Sequence, residues 1–198
     1  LDGAKISVKV AESDFNLHAL TKSTGPSFGI GVNGETYATA HLKSSEFYGI
    51  HVEDGDSTIV NHKHGLIEID ARPTVSADSH VAGGTVALDV DSYGYATSTA
   101  QLKASGIRVG GGTPSVTNIG TLTVKAAPVI VSTGTADGGH AEGRGNQTSE
   151  AAANNVIAIG IEAGEGASRT SNEGKLIRSR ISNKGTLTVE SSPSVTAK

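Results

Sequence analysis

The chain has 198 residues with no Cys, Met or Trp, aromatics at 4%, 26 Gly and a formal net charge of −4. Without Cys, disulfide frameworks, thiol proteases, Cys-based zinc sites and iron–sulfur centres are excluded, and the acidic balance argues against a nucleic-acid partner, whose affinity rests on Lys and Arg neutralising phosphates. No apolar run approaches the ~18 residues of a membrane span, and the core must be built from Val, Ile, Leu and Ala, side chains that suit closely stacked strands.

In chain order, the first recognisable element is "KISVKVA", where Ile6 and Val8 look like the last strand of a repeat unit. "FGIGVNGETYATAHLKSS" follows from Phe28, then "YGIHVEDG" from Tyr48, then "STIVNHKHGLIEIDARP" from Ser57 to Pro73. The series returns as "VALDVDSYGYATSTAQLKAS" from Val86, "SGIRVGGG" from Ser105 and "SVTNIGTLTVKAAP" from Ser115 to Pro128. A third round reads "IAIGIEAGEGASRTSNEGKLIRS" from Ile157 and "RISNKGTLTVESSP" from Arg180 to Pro193. The units are expected at 1–27 (partial), 28–84, 85–154 with an insert at 132–155, and 156–198 (partial), within one domain over 1–198.

Runs such as "GIHV", "LIEID", "GIRV" and "TLTV" alternate apolar with other residues at period two, the mark of a strand with one face inward. The best helical candidate, "TSEAAANN" from Thr148 to Asn155, spans two turns at most. A unit of about 55 to 70 residues holding about three passes of roughly 16 to 22 lies in the solenoid range. The predicted fold is therefore all-β, a parallel β-solenoid in the right-handed β-helix form, with about ten coils making a rod about 50 Å long. Inward positions are Ile50, Val52, Ile67, Ile69, Leu88, Val90, Ile107, Val109, Leu122, Val124, Ile159, Ile161, Leu187 and Val189.

The phrase Asn-x-Gly-x-Leu-x-Val in "TNIGTLTV" and "SNKGTLTV", preceded by "GIHV" or "GIRV" and a Gly-rich turn, resembles the degenerate repeats of autotransporter passenger domains and related large exported bacterial β-helix adhesins. The resemblance covers most of the chain. It implies export and display at the cell surface or in the extracellular space, and it names no ligand. Because identity between units falls on fold-making positions while the outward residues are Ser, Thr, Asn, Gly and scattered charges, the expected role is a structural or adhesive module without catalysis. The chain departs from the pattern in having no β-barrel translocator and in the insert after Val131. The missing initiating Met and leader read as a mature product or an excised fragment.

The recurrent residues have a reading of their own. Asn61, Asn118 and Asn183 suit corners between strands, since Asn tolerates left-handed backbone and bonds its neighbours, and Gly65, Gly120 and Gly185 beside them are expected where φ is positive. Successive Asn are expected about three passes apart, as a sparse column.

Candidate chemistry is sparse. Glu53, Asp54 and Asp56 in "EDGD" would supply oxygen ligands if Ca²⁺ bound, against the plainer reading of a solvated turn. His62 and His64 in "NHKHG" share one side of an extended chain, as two metal ligands would, but no third ligand accompanies them, so no metal and no cofactor is expected. The runner-up function is a carbohydrate-active β-helix enzyme, a polysaccharide lyase or hydrolase, with Asp89 and Asp91 as the catalytic pair and Tyr93 and Tyr95 stacking on sugar. In the insert "STGTADGGHAEGRGNQTSEAAANN" alternation fails, and a protruding loop is expected to present His140, Glu142, Arg144 and Asn146 for binding. Partners are expected to be further copies stacked end to end or a longer chain of the same kind, together with host or matrix glycans or proteins. Both termini are read as falling at one phase of the repeat, which would make the two ends complementary.

Overall fold

A computed structural model describes residues 3–10, 16–24, 28–30, 34–53, 56–82, 86–88, 92–137, 145–163, 169–170, 176–177 and 180–198. All regular structure among these is strand, and most of it is parallel. In chain order the strands are β1 (Lys5–Val10), β2 (Asn16–Thr24), β3 (Phe28–Ile30) and β4 (Gly34–Val52), then β5 (Thr58–Asn61), β6 (Leu66–Ala71), β7 (Thr74–Ala82), β8 (Val86–Leu88) and β9 (Ser92–Val109). They continue as β10 (Ser115–Asn118), β11 (Thr121–Ala126), β12 (Val129–Asp137) and β13 (Gly145–Ala163), and end with β14 (Arg169–Thr170), β15 (Leu176–Ile177), β16 (Arg180–Asn183), β17 (Thr186–Ser191) and β18 (Ser194–Ala197). The only antiparallel pair among the described residues joins β14 to β15.

The sheets run β1-β6-β11-β17, β16-β10-β5, β18-β12-β7-β2, β13-β9-β4 and β3-β8. Lys5 lies against Leu66, Leu66 against Thr121 and Thr121 against Thr186, so the chain returns to the same place every 55 to 65 residues. This stack of parallel layers fits a β-solenoid-like fold, and it corrects the expected pass length. One repeat unit makes one layer, not three passes, because the short alternating runs are successive sides of a single wide turn. In place of about ten coils, the tallest sheet has four strands, which at ~4.8 Å per strand is about 15 Å from first to last.

The long strands β4, β9 and β13 form one side of each layer, and the short strands close the other. The later parts of the long strands pack Leu102, Ala104, Ile107 and Val109 against Ile67, Ile69, Leu122 and Val124 of β6 and β11. Their earlier parts pack Ala38, Ala40, Leu42, Ala96 and Ala100 against Val75, Ala77 and Ile130 of β7 and β12. Small residues dominate because the two sides approach closely: a Cβ on Gly106 would stand 2.4 Å from Leu122 Cδ1 and 2.7 Å from Gly160 O. Gly49 and Gly160 occupy the same column and leave room for Ile67 and Leu187.

Most inward assignments hold, with Ile67, Ile69, Ile107, Val109, Leu122 and Val124 buried and Ile50, Val52 and Ile161 packed against them. The side chains of Leu88 and Val90 lie outside the described residues. Ile159 takes the register of Ser105 and Tyr48, at the point where the inward phase changes from Ala104 to Ile107, and is not part of the core cluster. Leu187 and Val189 sit in the inward columns yet are 40% and 43% exposed, because they belong to the last layer.

Three further expectations are corrected. Residues 132–137 belong to β12 and 145–155 to β13, in register with β7 and β9 apart from the bulge at Asn154 and Asn155, so these parts of the expected insert lie within the sheets, while residues 138–144 lie outside the described residues. The helical candidate Thr148–Asn155 is strand for the same reason, its alanines packing against the small residues of β9. Ile157 pairs with Lys103, not with the Val86 segment matched to it by sequence.

Candidate functional site

The corner residues form the most regular feature. Asn61 donates through Nδ2 to Asn118 Oδ1 at 2.7 Å, and Asn118 donates in turn to Asn183 Oδ1 at 2.7 Å. Their backbone oxygens accept from the next layer, Asn61 O from Ile119 N at 2.7 Å and Asn118 O from Lys184 N at 2.7 Å. The column is continuous, one Asn per layer, and not sparse. None of Asn61, Asn118 and Asn183 has positive φ, and neither have Gly65, Gly120 and Gly185. Those glycines answer a different demand: a Cβ on Gly120 would lie 2.3 Å from Gly65 O, and one on Gly185 2.1 Å from Gly120 O.

The densest polar cluster lies on the outward side of the long strands and joins three layers. Arg108 stacks over the Tyr48 ring at 5.3 Å, bonds the Tyr48 hydroxyl and reaches Glu46 Oε2 at 3.3 Å. Lys103 Nζ meets Glu162 Oε1 at 2.8 Å, and Arg108 Nε lies 3.6 Å from Glu162 Oε2. His51 packs against Tyr48 with ring centroids 4.5 Å apart. The hydrogen bond from the Tyr48 hydroxyl, aided by Arg108 and Lys103, holds the Glu46 carboxyl below its ordinary pKa. Burial, then the bond to Glu46, pushes the Tyr48 phenol up. Each charge here faces an opposite charge, so the cluster ties layers together more than it presents a reactive group.

A second outward feature is aromatic. Tyr37 and Tyr95 are in register on β4 and β9 and stack with centroids 4.8 Å apart and planes 6° from parallel. Tyr37 is 61% exposed and donates to Glu35 Oε2 at 2.9 Å, a bond that raises its phenol pKa. Tyr93, two residues before Tyr95, is half-buried and in register with Glu35 and Asn146.

The remaining candidates are dispersed. Asp89, Asp91, His140, Glu142 and Arg144 lie outside the described residues, and Asn146 is exposed near the start of β13. Asp54 is outside them as well. Glu53 is exposed, and Asp56 accepts from Thr113 N at 2.8 Å and Thr113 Oγ1 at 2.7 Å, so its carboxylate holds the loop of the next layer. His62 and His64 are exposed in a turn closed by Gly65 N to His62 O at 2.8 Å. Among the described residues no three His, Asp or Glu converge as a metal site, and no helix is long and apolar enough to cross a membrane.

The last layer is open. Ile181, Leu187, Val189 and Val195 are 48%, 40%, 43% and 45% exposed, whereas Val116, Leu122, Val124 and Ile130, their partners one layer below, are 0% exposed. The two ends differ in phase, contrary to expectation: the first strand, β1, belongs to the sheet of β17, while the last, β18, belongs to the next sheet.

No family model, no curated protein and no solved structure matches this chain.

Proposed function

We propose that the chain is a structural or adhesive module of an exported bacterial protein, displayed at the cell surface or in the extracellular space, and that it works without catalysis. Its fold in this reading is a β-solenoid of right-handed form, the hand that parallel crossovers favour, of the kind seen in autotransporter passengers and large exported adhesins. The observation that carries the reading is where the repeated residues lie. Asn61, Asn118 and Asn183 form the hydrogen-bonded ladder, Gly65, Gly120 and Gly185 the close approach, and the aliphatic columns the core. Repetition has kept what builds layers, while the outward charges neutralise one another across layers.

Such a module functions by extending. Its partners are further layers of its own kind, by end-to-end stacking or within a longer repetitive chain, and its outward Tyr37, Tyr93 and Tyr95 offer aromatic surface to glycans or proteins of a host or matrix. The test is a screen of the purified chain on acidic and neutral polysaccharides, followed by reducing ends and by the absorbance of unsaturated products. No turnover is expected. Product release that disappears on Arg108→Ala or Glu46→Gln would overturn the reading in favour of a carbohydrate-active enzyme.

A further inference from the structure

The long-strand side of the stack carries a cleft where the strand register slips. β4 and β13 each bulge against β9, so that Lys43–Ser44 and Asn154–Asn155 both face the single Gln101. At this point a cleft of about 100 Å³ is lined by Ser44, Ser45, Glu46, Gln101, Lys103 and Asn155, with Ile157 as an apolar wall. Ser44, Gln101 and Asn155 are exposed while Leu102 beside them turns into the core, so the cleft faces outward from the side of the stack, where layers above or below do not cover it.

Two observations set this cleft apart. Ser44 at φ 49° and Asn155 at φ 61° are the non-glycine residues of positive φ among the described residues, and both line it. Glycine takes such a conformation without steric cost, and this chain uses glycine freely, at 26 of 198 residues. Side chains kept on strained backbone point to a use for the side chain, and bulges re-aim side chains next to sites. The second observation is which groups are spoken for. Glu46 is engaged by Tyr48 and Arg108, and Lys103 by Glu162, whereas Ser44, Ser45, Gln101 and Asn155 make no side-chain hydrogen bond to the described residues.

We propose that this cleft binds one ring of a neutral glycan, with the amides of Gln101 and Asn155 and the hydroxyls of Ser44 and Ser45 taking its hydroxyl groups and Ile157 lying against its apolar face. The inference rests on the adhesive reading above and gives it a site and a ligand class. The uncommitted groups are all uncharged, and each can both donate and accept, which suits hydroxyls rather than an ion. Glu46 and Lys103 already face opposite charges, so a uronate or a cation entering here would compete with a partner in place and meet no net charge of opposite sign. The volume is room for several waters, and a pocket with an apolar wall and a few convergent polar groups is the ordinary form of a small-ligand site.

The experiment titrates the isotope-labelled 198-residue chain with short neutral oligomers of glucose, mannose, galactose and N-acetylglucosamine, and with galacturonate and mannuronate oligomers of the same length. At least one neutral oligomer is expected to shift the side-chain amide resonances of Gln101 and Asn155 to saturation, with the acidic oligomers weaker by about tenfold or more. Gln101→Ala is expected to weaken binding on the order of tenfold. Ser44→Gly and Asn155→Gly remove the side chain while easing the backbone, so they should weaken binding and leave the urea midpoint unchanged or raised. Thr121→Ala, on the short-strand side, should change neither. The proposal is overturned by failure of every neutral oligomer to bind, by acidic oligomers binding as tightly, or by binding that survives Gln101→Ala and Asn155→Gly together. A lowered midpoint in both Gly variants overturns it too, since Ser44 and Asn155 would then be serving the fold. Absence of binding with the polysaccharide screen silent sinks only the cleft; product release in that screen sinks the structural reading whether or not the cleft binds.

Discussion

Asn61 and Asn118, 57 residues apart in sequence, are joined by a side-chain hydrogen bond of 2.7 Å in the interior, and Asn118 repeats the same bond to Asn183. Asn118 uses its amide oxygen for the layer below and its nitrogen for the layer above. Asn118, fully buried, is the member with both neighbours in place. Replacing it with Ala leaves the Asn61 donor and the Asn183 acceptor without it, and an unsatisfied buried group costs about 1–3 kcal/mol. Asn118→Ala is expected to lower stability by at least about 2 kcal/mol in urea denaturation. Asn183→Ala, at an exposed position with one neighbour, should cost less than half as much. Equal losses at the two positions would show that the ladder is not the source.

The Gly106 column tests how closely the two sides approach. Gly106→Ala puts a methyl group 2.4 Å from Leu122 Cδ1 and should destabilise by about 1–3 kcal/mol through overpacking. Leu122→Ala alone should cost about 2–5 kcal/mol as a core truncation. Because the new methyl occupies space that Leu122 vacates, the double variant should cost less than the sum by about 1 kcal/mol or more. Strict additivity would mean that the contact with Gly160 O, not the one with Leu122, limits the position.

Adjacent residues of one strand separate the two faces. Leu122 is 0% exposed within the aliphatic column, while Thr121 beside it is half-buried and points away. Leu122→Asp, which buries an unpaired charge, is expected to abolish cooperative folding. Thr121→Asp should shift the denaturation midpoint slightly, and circular dichroism of the two variants decides between these outcomes.

The repeated phrase made the register legible before any coordinates. Asn61, Asn118 and Asn183 stand opposite one another, as do Ile67, Leu122 and Leu187, because stacked layers demand like residues at like places. The pass length was not legible. Period-two alternation identifies a strand but does not say whether the next strand lies above it or beside it in the same layer, so three sides of one turn read as three coils. The bulges in β4 and β13 were hidden for a related reason, since Lys43–Ser44 and Asn154–Asn155 have meaning only against the single Gln101 opposite. The Glu46, Tyr48, Lys103, Arg108 and Glu162 cluster draws on three units and has no local motif. Its one available signal was the alignment of "GIHV" with "GIRV", which sets His51 opposite Arg108.

The outward carboxylates define an acid limit and the Tyr48 phenol an alkaline one. Glu68 is held below its ordinary pKa chiefly by Lys9, at 3.0 Å, Glu190 by Ser192 and then Lys125, and Glu46 by Tyr48. A carboxyl with a lowered folded pKa stabilises the fold above its unfolded pKa of about 4.3 and loses that contribution as pH falls through the folded value. Tyr48 is shifted upward, so its contribution is complete below about pH 10 and is lost as pH rises through its folded value. The urea midpoint should therefore be flat near neutrality, fall below about pH 4.3 and fall again above about pH 10. Glu190→Gln and Glu68→Gln should each shallow the acid limb and leave the alkaline limb in place, whereas Tyr48→Phe should remove the alkaline limb's Tyr48 contribution and, by releasing Glu46, shallow the acid limb as well. A midpoint that rises on acidification, or an acid limb unchanged in the double Gln variant, would show that these interlayer pairs do not contribute to the folded state.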